Sequence, residues 1–188
     1  MYRKVFKRLI DIILSIFVII LISPILLIVS LIIKIQDGGP VLFKQNRVGK
    51  NKKLFKIYKF RSMPVNTVNV ESSEVNKIKI TFFGKFIRRT NIDELPQLFN
   101  IIKGDMSLIG PRPCLPTQTE LIELRYKGGA YNCLPGLTGL AQVNSYDNMP
   151  NQAKANFDNQ YNKDITFIND MKIVLKTFVY LTKKPPTY

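Results

Sequence analysis

The chain contains no histidine. That absence removes Ser-His-Asp and Cys-His nucleophile systems and every metal site built on imidazole. Cysteine is almost as scarce. Cys114 and Cys133 are too few and too far apart for a CxxC or zinc pattern, so both are expected as reduced packing residues of a cytosolic face. Acidic residues are few: 13 Asp+Glu stand against 28 Lys+Arg, a net charge of +15. Such an excess suits an anionic partner, whether nucleic acid, anionic membrane lipid or a phosphorylated substrate. No nucleic-acid-binding motif is present, so no nucleic acid is expected. Internal repeats and low-complexity tracts are also lacking. What remains for chemistry is carboxylates, Lys, Arg, hydroxyls and a hard metal ion held by oxygen ligands.

Against these absences stands one long apolar run, Ile12 to Ile33, 22 residues without a charge. As a helix it would measure ~33 Å, the thickness of a bilayer's hydrocarbon core. A buried soluble helix rarely needs to be apolar on every face, so membrane insertion is expected. The run is too long for a signal peptide, and no small-residue cleavage site follows it. Ser23-Pro24 divides it. Proline lacks the backbone donor and clashes with the carbonyl four residues back, so a kink is expected, with the Ser23 hydroxyl satisfying a freed backbone group. Arg3, Lys4, Lys7 and Arg8 precede the run; Lys34, Lys44, Arg47 and Lys50 lead a second basic stretch after it. Lys and Arg favour the cytoplasmic side, and a re-entrant helical hairpin keeps both flanks there. The alternative is a Pro-kinked single span. Asp11, at the edge of the run, is expected to pair with Lys7 or Arg8 on the same helix face.

The chain's 188 residues suffice for one domain plus this membrane element. The division expected is a re-entrant membrane helix over 1–36 and a cytoplasmic-face catalytic domain over 37–188. The fold class is α+β, mainly helical, with a small β-hairpin and amphipathic membrane-surface helices. Asp37-Gly38-Gly39-Pro40 ends the first helix. The hairpin is read from Val41–Phe43, a turn near Gly49-Lys50-Asn51, and Leu54–Phe60. Lys59 and Arg61 then share a face with Phe55 and Ile57, either an anion site or a solvated basic strand. Residues 64–76 read as a surface loop. Phe82, Phe83, Phe86 and Ile87 with Lys85, Arg88 and Arg89 read as a short amphipathic helix. Residues 153–182 carry helical spacing for one or two helices, packed on the core or lying on the membrane.

The segment Arg88 to Pro113 carries the chemistry. Leu95, Leu98, Phe99 and Ile102 fall at helical spacing, with Gly104 as stop. Pro96 is tolerable only in a first turn, so a helix is expected to begin at or near Asp93. Asp93 and Glu94 would then sit where the macrodipole favours ionised carboxylates, pointing ~100° apart. One can attack while the other holds a metal; such a pair can equally serve as a helix cap. In Gly110-Pro111-Arg112-Pro113, two prolines fix the backbone around one guanidinium, a good bidentate phosphate ligand or else a solvated turn.

The stretch IDELPQLFNIIKGDMSLIGPRP, with KFRSM before it and PGLTGLAQVN after it, resembles the bacterial sugar transferases known as monotopic phosphoglycosyl transferases. The resemblance runs from Ser23-Pro24 to Asp158 and Tyr161, and the length is similar to the family's minimal catalytic core. It implies an enzyme that moves a phosphosugar from a nucleoside diphosphate sugar, usually a UDP-sugar, to undecaprenyl phosphate through a covalent aspartate intermediate. That reaction starts glycan assembly for capsule, O-antigen or glycoprotein at the cytoplasmic face of the bacterial inner membrane. On this resemblance Asp93 matches the nucleophile and Glu94 the Mg2+-binding carboxylate. Arg112 and Arg88 match phosphate-binding cations, and Lys59 and Arg61 fall in the family's basic strand. Gln142, Asn144 and Asp158 are candidate nucleotide or sugar contacts. Ser23 and Pro24 match the hairpin break. Three positions depart from the family pattern: Leu134 where Arg is common, Asn144-Ser145-Tyr146 where Asn-Gly-Arg is common, and Asn91 where Ser is common. The rival reading is a non-catalytic basic membrane-anchored adaptor, which needs no carboxylate pair, no Gly-Pro-Arg-Pro and no metal. The sugar, the pathway and any homo-oligomer are not legible in the residues.

Overall fold

The computed structural model describes residues 1–64, 80–144 and 149–182. The loop expected over 64–76, apart from Pro64, and the Ser145-Tyr146 departure lie outside them. The architecture is mainly helical with a small β-hairpin. A π-helical turn, Tyr2–Phe6, runs into α1, Lys7–Asp37. Then come β1 (Leu42–Val48), β2 (Leu54–Phe60), α2 (Phe82–Arg89), α3 (Gln97–Lys103), β3 (Ser107–Ile109) and α4 (Thr119–Lys127). The chain continues with β4 (Gly136–Thr138), α5 (Leu140–Asn144), α6 (Asn151–Lys163) and α7 (Phe167–Thr182).

Helix α1 keeps its apolar surface outward. Phe17, Ile20, Leu21, Leu27, Leu31 and Ile35 are all exposed. Helical geometry continues through Ser23-Pro24 instead of ending there. The Ser23 hydroxyl donates to the Ile20 carbonyl at 2.8 Å. That is the acceptor which the missing Pro24 N–H leaves open, so the serine replaces the bond that the proline removes. Gly38, at φ +67°, provides the left-handed stop.

The charges at the head of α1 do not pair as expected. Asp11 pairs with neither Lys7 nor Arg8: it accepts from the Ser107 hydroxyl at 2.7 Å and from the Leu108 N–H at 3.2 Å. Lys7 reaches Asp170 on α7 at 2.7 Å. Arg8 donates to the Ile102 and Met106 carbonyls, at the C-terminal end of α3. Burial explains the change of partner. A buried carboxylate packed against β3 meets the donors fixed there, while Lys7 is taken by Asp170.

β1 and β2 pair antiparallel from Leu42 opposite Phe60 to Val48 opposite Leu54, so β1 extends well past the Val41–Phe43 expected. β3 and β4 form a short parallel pair. The second edge of β2 is closed by a side chain. Asn100 Oδ1 accepts from the Tyr58 N–H at 2.9 Å and its Nδ2 donates to the Lys56 carbonyl at 2.8 Å. The amide thus acts as one residue of an adjacent strand and fixes α3 on β2. Ile57, Leu98, Ile101 and Met106 pack beneath, against Val18, Ile19 and Ile22 of α1. Phe60, Ile87, Val29 and Ile33 form a neighbouring cluster.

α2 forms as expected, capped by Thr81, whose hydroxyl accepts from the Gly84 N–H. Ile87 is buried, whereas Phe82 is 92% exposed. The 153–182 pattern resolves into two helices, α6 and α7. α7 packs through Ile173 and leaves Phe167, Ile168, Leu175 and Phe178 exposed.

Asn100→Ala should leave the Tyr58 N–H and the Lys56 carbonyl unpaired. We expect a loss of about 2–4 kcal/mol, read as a lowered thermal unfolding midpoint in detergent; an unchanged midpoint would show that water replaces the amide at no cost.

Candidate active site

The site is assembled at the turn between α2 and α3. Asn91 takes the left-handed conformation, φ 55°, which reverses the chain after α2. Asparagine tolerates this region better than most residues, which gives a physical reason for Asn at this departure from the family pattern. A single 3-10 turn, Ile92–Glu94, follows. The expected helix start at Asp93 is therefore corrected: α3 proper begins at Gln97, and Pro96 occupies its N-cap. Pro96 has no N–H for the Ile92 carbonyl, so the i→i−4 ladder cannot run back into the turn. Leu95 N–H takes that carbonyl instead, at 3.2 Å.

Asp93 is 7% exposed. Burial pushes its carboxyl up to about 6, and the adjacent Glu94 charge adds to that, while Lys59, Arg88 and Arg112 pull against both. The Glu94 carboxylate is held by two cations. Lys59 Nζ donates to Oε1 at 2.7 Å; Arg112 Nη2 donates to Oε1 at 2.5 Å and its Nη1 to Oε2 at 3.2 Å, a bidentate fork. Burial alone would raise Glu94, but Arg112 and Lys59 together outweigh it and hold the group well below the usual carboxylate range. The pair is thus split, one carboxyl near neutrality and one firmly ionised.

The Arg112 loop is gripped along its backbone. Pro111 O accepts from Gly136 N–H at 2.9 Å, Arg112 O from Arg125 Nη1 at 2.9 Å, and Pro113 O from Arg47 Nη1 at 3.3 Å. Cys114 O accepts from Val48 N–H at 3.0 Å. Gly110 is required by close approach: a Cβ there would lie 2.3 Å from the Leu134 carbonyl oxygen.

Five expected residues therefore converge: Asp93, Glu94, Lys59, Arg112 and Arg88. Arg61 is buried immediately after β2. Gln142 and Asn144 are engaged on α5, donating to the Leu137 and Leu140 carbonyls; Lys176 also donates to Asn144 Oδ1. Asp158 is 1% exposed and lies behind the Arg112 loop, where its Oδ2 takes Arg125 Nε at 2.8 Å and Nη2 at 2.6 Å. Sequence reasoning missed Arg125 and Asn100. Each is a polar residue in the buried stripe of a short helix, beside Leu121 and Ile101 respectively, and that misplaced polarity was the available signal.

A buried carboxyl raised toward neutrality, a second held ionised, and three cations within their field thus lie together, on a chain headed by an apolar helix. Residues 2–184 match the family model for bacterial sugar transferases, and the chain belongs to that family. It is 41% identical over 184 residues to the UDP-glucose:undecaprenyl-phosphate glucose-1-phosphate transferase of Klebsiella pneumoniae, covering 93% of this chain and 40% of that protein. It is 38% identical over 203 residues to the undecaprenyl-phosphate galactose phosphotransferase of Salmonella typhimurium, covering 97% and 41%. Over 194 residues it is 39% identical to the exopolysaccharide production protein PSS of Rhizobium leguminosarum, covering 93% and 94%. The chain thus spans about two fifths of the first two relatives and nearly all of the third.

Because the folded environment raises Asp93, its ionisation opposes folding. The cost is absent below the unfolded value of 3.8, grows with pH, and is complete above about 6. Asp93→Asn should stabilise the protein at pH 7.5 by about 2–3 kcal/mol, with the gain vanishing near pH 4. Unfolding midpoints of both proteins across that range test this, and a gain that grew on acidification would contradict the placement of Asp93.

Proposed function

We propose that the chain transfers a phosphosugar from a UDP-sugar to undecaprenyl phosphate, releasing UMP and forming undecaprenyl diphosphosugar. The observation that carries this reading is the split carboxylate pair, with Asp93 buried among Lys59, Arg88 and Arg112. The printed names of the Klebsiella and Salmonella relatives supply the substrate class. In the first displacement, an Asp93 oxygen attacks the phosphorus that bears the sugar. The bond from that phosphorus to the bridging oxygen breaks, and UMP leaves with the electron pair. In the second, a phosphate oxygen of undecaprenyl phosphate attacks the same phosphorus, and the Asp93 carboxylate departs as it arrived. Arg112 and Lys59, which share Glu94 in this structure, are placed to take up phosphate charge as substrate enters. Lys59, with Arg88 and Arg112, counters the effect of burial on Asp93 and favours its ionised form at neutral pH.

Mg2+ fits the donor set. Among the described residues there is no cluster of three or more His, Cys, Asp or Glu. Mg2+ commonly needs no more than one or two carboxylates, the rest coming from substrate phosphates and water. Glu94 would hold it beside Asp93, and when bound it would neutralise charge on the departing UMP.

The proposed setting is the cytoplasmic face of the bacterial inner membrane. Residues 1–36 form the re-entrant element and 37–188 the catalytic domain. Packing at both ends of α1 supports re-entry. Lys7, Arg8 and Asp11 are fixed to α7, α3 and β3, while Val29 and Ile33 pack on Phe60 and Ile87 of the same body. Both basic flanks are thereby held on one body, which favours keeping them on the same side of the membrane. The exposed apolar residues of α2 and α7 are proposed to lie at the lipid surface, with anionic lipids as partners of the basic surface.

Intact-protein mass spectrometry with a panel of UDP-sugars and no lipid acceptor should show a phosphosugar adduct and free UMP, and Asp93→Asn should abolish both. Adduct formation should fall below pH ~6, and Lys59→Met should move that limb upward, because it removes a cation that lowers Asp93. UMP release that appears only once acceptor is present would replace the covalent route with a ternary-complex transfer.

Topology is tested separately. Cysteines introduced at Lys4 and Pro40, in a background lacking Cys114 and Cys133, should both be shielded from an impermeant thiol reagent in intact cells. Labelling of either one alone would establish a span.

A further inference from the structure

Arg125 and Asp158 are buried charges that the chemistry above does not touch. Their side chains are 4% and 1% exposed, and the pair is joined through one edge of the guanidinium, Nε and Nη2 both meeting Asp158 Oδ2. A buried ion pair seldom improves stability, since apolar residues of similar volume often do as well. Its presence here is better explained by something that only a charge can do.

The opposite edge of the guanidinium shows what that is. Arg125 Nη1 donates to the backbone carbonyl of Arg112 at 2.9 Å. Arg112 lies between Pro111 and Pro113, so the φ of both neighbours is already fixed and neither offers an N–H. The free variable is the rotation that sets the Arg112 peptide, and with it the direction of the Arg112 side chain. A charge-assisted bond to that carbonyl fixes it. Asp158 in turn fixes Arg125, because an arginine gripped through Nε and Nη2 has one remaining direction for Nη1. The Tyr131 hydroxyl bonds Cys114 and lies beside Arg125, closing the remaining side. The lever runs from α6 through α4 to the loop, and ends on the fork that Arg112 presents to Glu94.

We propose that Arg125, set by Asp158, is a positioning residue that aims Arg112 at the phosphate of the nucleotide substrate. This rests on the phosphate-binding reading of Arg112 in the proposed function.

The test is a double-mutant cycle of Arg112→Lys and Arg125→Lys, read on kcat/KM and, independently of turnover, on UDP affinity by titration calorimetry. Arg125→Lys keeps a cation beside Asp158 but cannot serve both partners. We expect it to lower kcat/KM and UDP affinity by ~10-fold, as Arg112→Lys does, with the double variant no worse than Arg112→Lys alone. Losses that multiply would overturn positioning and leave the phosphate role of Arg112 standing. An inert Arg112→Lys would overturn both. UDP binding that shows the coupling without any turnover would support positioning and remove the transfer reading. Should Arg125→Lys fail to fold, the paired replacement Arg125→Met with Asp158→Leu removes both charges together and enters the same cycle, with the same outcomes deciding.

Discussion

Glu94 is the point through which the site is held. Its carboxylate receives Lys59 from the hairpin and Arg112 from the loop between β3 and α4, two segments far apart in sequence. Two cations brought this close would repel one another without an anion between them. Glu94 supplies it, and the same proximity leaves Asp93 with less cationic support than a lone carboxylate would have. The raised Asp93 and the lowered Glu94 are therefore two sides of one charge balance. In the proposed function, a diphosphate that drew Lys59 and Arg112 toward itself would also free the Glu94 carboxylate for a metal.

The long apolar helix α1 imposes the second constraint. A helix whose outer face is apolar has little reason to fix its rotation or depth by hydrophobic contact alone. Its polar head does that. Lys7 and the Tyr2 hydroxyl both reach Asp170 Oδ2, and Tyr161 donates to Oδ1. Arg3 grips the Asn162 backbone carbonyl and side chain. Asp11 closes on β3 and Arg8 on the end of α3. These bonds are directional, and those of Asp170 with Lys7 and Tyr161 and of Asp11 with Ser107 are buried, so a rotation of α1 would strand several charges at once. The bonds that set α1 also touch β3 and α3, the two elements that flank the carboxylate turn and the Arg112 loop.

Much of this was legible in the sequence, and what was not has a consistent cause. The apolar run, the hairpin's second strand, the amphipathic α2 and the carboxylate–arginine constellation all announce themselves through local pattern. Ser23 is the clearest success: its hydroxyl takes the carbonyl that Pro24 orphans. The errors concern partners. Asp11 was matched to its helical neighbours because spacing is all a sequence shows, whereas burial against β3 offers it better donors. The helix start was placed at Asp93 because Pro96 suits a first turn. What spacing does not show is that its missing N–H divides the segment into a 3-10 turn and a shorter helix. Asp158 reads in sequence as an acidic residue near a ligand. Only the packing of α4 on α6 shows that it faces an arginine and not the solvent.

The Arg112 loop shows how a stretch of backbone can be held by buried polarity. The Arg112 guanidinium is partly exposed at its tip, whereas its backbone is held on all sides. Pro111, Pro113 and Cys114 are buried, but side-chain packing does not set the rotation of the Arg112 peptide. Rigidity comes instead from consecutive carbonyls, Pro111 to Cys114, each given a donor: two backbone N–H groups and two arginines. The arginines stand at residues 112 and 113, where backbone donors do not reach. An apolar replacement of Arg125 and Asp158 could match their contribution to stability. It would leave the Arg112 carbonyl without its donor and return to the loop the rotation that the prolines alone do not remove.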